Sequence, residues 1–101
     1  MITETTSSVP VGLHILVVQD NPDAAESLAK LLKLFGNEVR VAGGGPQALE
    51  AVRGWRPDFI LLDLDLPGMD GYEVARRLRQ EAACRNSVLI AMTGYGRPED
   101  R

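Results

Sequence analysis

Short apolar runs that stop at polar residues set the strongest limit on what this chain can fold into. Leu13-His14-Ile15-Leu16-Val17-Val18 gives way to Gln19-Asp20, Phe59-Ile60-Leu61-Leu62 to Asp63, and the stretch from Ser87 to Met92 to Thr93-Gly94. Runs this short, continuous and rich in β-branched residues suit strands covered on both faces. The segments between them carry apolar residues at three- and four-residue spacing, so strands alternate with helices and the sheet is expected to be parallel. With a short second strand over Glu38 to Val41, the expected architecture is α/β, a doubly wound parallel sheet of four strands and three full helices.

The helices have readable ends. Asn21-Pro22 reads as an N-cap and first helical residue, with Asp23 and Glu26 favourably placed in the first turns. Ala24, Ala25, Leu28, Leu31, Leu32 and Phe35 mark one face, expected to pack on the sheet, and Gly36-Asn37 supplies a stop. The Gly43-Gly44-Gly45 run reads as a loop, followed by a helix from Pro46 to about Arg53 with Ala48, Leu49 and Val52 inward. Trp55-Arg56-Pro57 breaks that pattern. Leu64 to Gly71 reads as an irregular loop, and Tyr72 opens a helix with Val74, Ala75 and Leu78 inward and Arg76, Arg77 and Arg79 outward. Arg97 to Arg101 resembles a further helix start.

A length of 101 residues allows one domain, read as a flexible leader over residues 1–12, rich in Thr and Ser, and a folded unit over 13–101. A single cysteine, apolar runs too short for a bilayer and no secretory pattern at the N-terminus fit a cytoplasmic protein with no membrane contact. A net charge of −3 gives no general reason to bind nucleic acid directly.

In open parallel sheets, ligands bind at the C-terminal edge of the strands, where Asp20, Asp63 and Thr93 are expected. Carboxylates converging there repel one another unless a cation joins them, and hard oxygen donors suit a magnesium ion that keeps several waters. A carboxylate beside such an ion can also attack phosphorus, and Asp63 is placed for that.

The segments LHILVVQDNPDAAESLAKLL, FILLDLDLPGMDGYEVARRLR and VLIAMTGYG resemble the response-regulator receiver family, and the match covers nearly everything after residue 12. The resemblance implies a flavodoxin-like sheet with Asp63 as phosphoacceptor, followed by the loop residues Leu66, Pro67, Met69, Asp70 and Gly71. It also implies Mg2+ held by Asp20, Asp63 and the backbone carbonyl of Asp65, with Thr93 as the switch hydroxyl. The implied partner is a histidine kinase or phosphotransfer domain that supplies the phosphoryl group, and no separate substrate is turned over.

The chain departs from the family pattern in two ways. Gln19 replaces one acid of the usual pair, so it would reach the metal only through water and the affinity should fall. The family's fifth strand, with its phosphoryl-pairing lysine, and its last helix have no counterpart before Arg101, an incomplete pattern that would expose the edge of the fourth strand to self-association. These departures keep open a second reading, a non-phosphorylated pseudo-receiver, interaction module or inactive fragment. Asp63-Leu64-Asp65 also resembles the Asp-x-Asp pair of haloacid-dehalogenase-like phosphatases, but Pro67 stands where that family has Thr or Val.

Other residues carry bland expectations. Asp70 reads as a loop or cap residue and His14 as a strand residue, since no second histidine exists to build a transition-metal site. Cys84 is expected to be inert, and the triple glycine lacks the Gly-Lys-Ser/Thr of a phosphate-binding loop. The arginines at 76, 77 and 79 are expected to form a solvated helix face.

Overall fold

A computed structural model of the chain describes residues 12–64 and 70–92. In chain order the elements are β1 (His14–Val18), α1 (Pro22–Leu34), β2 (Glu38–Ala42), α2 (Gly45–Ala51), β3 (Phe59–Asp63), α3 (Gly71–Gln80), a 3-10 turn (Ala82–Cys84) and β4 (Val88–Met92). All strand pairs are parallel, in the spatial order β2-β1-β3-β4. The chain passes from β1 outward to β2 and then returns past β1 to β3. The order therefore reverses between β1 and β3, and that reversal opens a crevice at the C-terminal ends of these two strands.

The core lies mainly on one face of the sheet. Leu16, Val18, Ala42, Ile60 and Leu62 from the strands meet Ala48 and Val52 from α2 and its cap, Val74 and Leu78 from α3, and Trp55 and Cys84. Leu16, Ile60, Leu62 and Leu78 are completely buried, and each contributes roughly 1.5–3 kcal/mol by leaving water. Outside that cluster, Ile15 and Val17 of β1 and Ala25 and Ala29 of α1 are also buried.

This packing corrects the expectation for α1. Leu31 and Phe35 are 51% and 46% exposed, and Ala24 is exposed as well. The helix has an apolar stripe wider than the line of closest approach, and the small side chains of Ala25 and Ala29 form that line. Residues 24, 31 and 35 fall to its flank. The end of α1 follows the expected stop. Phe35 caps the helix, Gly36 takes a φ of +91°, and Asn37 returns its backbone N–H to the Leu32 carbonyl. Asn37 is itself buried, accepting from the Leu13 N–H through Oδ1 and donating to Leu32 through Nδ2. One side chain thus ties the end of α1 to the start of β1.

Two boundaries differ from expectation. Gly45, expected in a loop, is the buried first residue of α2, and that helix ends at Ala51 rather than near Arg53. Gly71, expected to close a loop, is the buried first residue of α3, with Asp70 as N-cap. Trp55, expected only to interrupt a helix, is 6% exposed and closes the core at the N-terminal ends of the strands.

Candidate functional site

The crevice between β1 and β3 is built from backbone pairing. Val18 and Leu62 are the last paired residues of these two strands, so Gln19 follows on β1 where Asp63 follows on β3. Adjacent strands lie about 4.8 Å apart, so the two residues leave the sheet side by side. The Gln19 N–H donates to the Ala42 carbonyl at 2.9 Å, which fixes the exit of β1 against β2.

Asp63 is held from the other side as well. It is the last residue of β3, aligns with Met92 of β4 and is 6% exposed. The next N–H, from Leu64, donates to the Met92 carbonyl at 2.8 Å. The start of α3 then packs on the chain leaving the strand. A Cβ at Gly71 would lie 2.6 Å from the Leu64 Cα, so only glycine allows this approach. Asp70 accepts from the Tyr72 N–H at 2.9 Å and caps α3, the structural role expected for it.

Asp20 stands in the exposed turn between β1 and α1. That turn is shaped by its two amide neighbours. Gln19 Oε1 accepts from the Asn21 N–H at 3.1 Å, and Asn21 Oδ1 accepts from the N–H groups of Asp23 at 2.9 Å and Ala24 at 3.1 Å. Asn21 is therefore the N-cap that its position before Pro22 announced. Of the sequence-expected site residues, Gln19, Asp20 and Asp63 come to this one edge of the sheet, whereas Asp65 and Thr93 lie outside the described residues, as do Leu66, Pro67 and Met69.

The donors at this edge are carboxylate oxygens, which fit a small, hard divalent cation that retains water. Among the described residues no group of three His, Cys, Asp or Glu side chains is poised to enclose a metal.

The comparisons decide the family. Residues 15–101 match the model of the response regulator receiver domain. The chain belongs to the response-regulator receiver family. The receiver is 49% identical over 80 residues to the DNA-binding response regulator MtrA of Mycolicibacterium smegmatis, a match covering 79% of this chain and 35% of that protein. It is 38% identical over 90 residues to the transcriptional regulatory protein TcrA of Mycobacterium tuberculosis, covering 89% of this chain and 35% of the relative. The receiver thus spans about a third of the length of these curated relatives.

Among solved structures, the receiver domain of a sensor histidine kinase from Pseudomonas aeruginosa, with a magnesium ion in its active-site cleft, matches with a TM-score of 0.75 and 34% identity, covering 90% of this chain and 75% of that one. The response regulator TrrA from Thermotoga maritima, in complex with Mg2+ and beryllium fluoride, matches with a TM-score of 0.72 and 33% identity, covering 83% and 71%.

Sequence reasoning passed over two features that support the site, the close approach of Gly71 to Leu64 and the bond from Asn21 to Gln19. Gly71 was visible as a glycine directly before a helix, although its neighbour in space was not. The aromatic cluster at the opposite edge was also hidden. There His14 stacks on Trp55 with centroids 4.9 Å apart and 11° between planes, and Arg40 lies 4.5 Å from the Trp55 ring centroid. His14 also meets Glu38 at 3.3 Å and the Arg56 carbonyl at 3.1 Å, so its contacts hold the N-terminal end of the sheet. The arginines of α3 are exposed as expected, but Arg76 and Arg77 both bond Glu73, and Arg79 donates to the Cys84 carbonyl.

Proposed function

We propose that this receiver accepts a phosphoryl group on Asp63 from the phosphohistidine of a histidine kinase or phosphotransfer domain. The observation that carries this reading is the position of Asp63, nearly buried at the end of β3 and beside the crevice where the strand order reverses. An Asp63 oxygen forms the new P–O bond as the P–N bond of phosphohistidine breaks; the bonding pair returns to the ring nitrogen, and the imidazole, carrying a proton on its other nitrogen, leaves as the neutral ring. Asp20 and Asp63 would hold Mg2+ together with the Asp65 carbonyl, and the ion would offset charge on the phosphoryl oxygens. Thr93 follows Met92, the residue aligned with Asp63, and in this reading its hydroxyl tracks the phosphoryl group. The added charge and acceptors shift an existing equilibrium between surfaces, so the domain acts as a switch modified once and not as a turnover enzyme.

The setting proposed is the cytoplasm; no helix among the described residues is long and apolar enough to cross a membrane. Self-association belongs to the same proposal. β4 is the outer strand among the described residues, with Val88 and Ile90 49% and 42% exposed, and such an edge can pair with a second chain. Sedimentation should then show a concentration-dependent increase in mass.

Titration with Mg2+ and beryllium fluoride, followed by amide NMR, tests the site. The Leu64 and Met92 amides should shift in the wild-type protein and stay fixed in Asp63→Asn. Unshifted wild-type amides would support the pseudo-receiver reading, and steady phosphate release from small phosphoesters would support the phosphatase reading.

A further inference from the structure

We infer that Gln19 is a positioning residue, which shapes the turn carrying Asp20 and leaves the metal to the remaining oxygen donors. The inference rests on the phosphoacceptor reading and concerns the residue at which this chain departs most clearly from its family. Gln19 leaves β1 directly beside Asp63, where a carboxylate would add its charge to the site. Its side-chain Oε1 accepts from the Asn21 N–H two residues on, at 3.1 Å. That bond precedes the Asn21 cap on Asp23 and Ala24, so two consecutive side-chain amide contacts run from the end of β1 into the first turn of α1. Asp20 lies between Gln19 and Asn21 in the chain.

Chemistry separates the two roles. An oxygen engaged by a backbone N–H has one lone-pair direction already committed, and the other end of the amide, Nε2, is a pair of donors. Metal-bound water is also a donor, so of this amide only the second Oε1 lone pair could accept from it. The amide has no charge with which to attract a cation. Gln19 thus retains the geometric function of the turn and omits the electrostatic one. The receiver should bind Mg2+ weakly for its fold while keeping an ordered start to α1.

Two substitutions separate turn from metal. Gln19→Glu keeps an oxygen for the Asn21 N–H and restores the missing charge; Gln19→Ala removes both. Affinity is read with Mn2+, by electron paramagnetic resonance of the free ion, and the turn by hydrogen exchange of the Asn21 amide in metal-free protein. Gln19→Glu should bind Mn2+ about tenfold more tightly than wild type with Asn21 exchange unchanged. Gln19→Ala should exchange Asn21 about fivefold faster and bind Mn2+ about threefold more weakly, the two changes arising together from the loosened turn. Weakening of Mn2+ binding by more than about fivefold in Gln19→Ala, with Asn21 exchange unchanged, would overturn the inference and leave the phosphoacceptor reading standing. Absence of Mn2+ binding in both wild type and Gln19→Glu would overturn the phosphoacceptor reading, and this inference with it.

Discussion

A side-chain carbon on Gly71 would lie 2.6 Å from the Cα of Leu64 and 2.8 Å from its carbonyl oxygen, closer than real Cβ atoms approach backbone. Leu64 follows Asp63 directly, and Gly71 begins α3, so this contact seats the helix against the chain that carries the candidate phosphoacceptor. Gly71→Ala must push α3 away from β3. The expected cost is about 1–3 kcal/mol in urea unfolding, together with a weaker response to Mg2+ and beryllium fluoride. Wild-type stability in this variant would show that the approach is not required.

The cap of α1 should be measurable in isolation. Asn21→Ala leaves the Asp23 and Ala24 N–H groups without their acceptor and should lower stability by about 1 kcal/mol, whereas Asn21→Asp should recover most of the loss. Equal urea midpoints for the alanine variant and the wild type would contradict this assignment.

Trp55 is nearly buried in the core cluster, yet its indole N–H has no hydrogen-bond partner among the described residues. Trp55→Ala should cost about 3–5 kcal/mol through the cavity it opens. Trp55→Phe keeps a ring beside His14 and Arg40 and removes the unpaired donor, so it should cost less than half as much. Equal losses would mean that the indole N–H finds a partner in solution.

Burial pushes the Cys84 thiol above the usual range; nearby Glu81 adds to the shift, and Arg79 opposes it. A group whose pKa is raised by folding stabilises the fold while protonated, and that contribution is lost as pH rises through the folded-state value. Stability should therefore decline on the alkaline side in the wild type and decline less in Cys84→Ala. Native Cys84 should also react with an aromatic disulfide at least about a hundredfold more slowly than the unfolded chain. Rapid labelling of the native protein would contradict the buried position.

The sequence made the strand and helix order legible because each apolar run is short and ends abruptly, and because Asn21-Pro22 and Gly36-Asn37 carry their own capping chemistry. That Asp20 and Asp63 stand at strand ends along one edge of the sheet was legible once the strands were read as parallel. What escaped was set by neighbours distant in sequence. Leu31 and Phe35 share the apolar spacing of α1, but the sheet meets that helix along Ala25 and Ala29. Trp55 reads locally as a helix breaker, and only the sheet above it makes it a core residue. The Gln19 contact with Asn21 depends on a rotamer, which composition and spacing do not encode.

The most direct test of the account is intact-mass analysis after incubation with acetyl phosphate, with and without Mg2+, for the wild type and Asp63→Asn. The account predicts a single phosphoryl adduct on the wild type that requires Mg2+ and is absent from the variant. An adduct that persists in Asp63→Asn, or none on a wild type that still binds Mg2+, would contradict it.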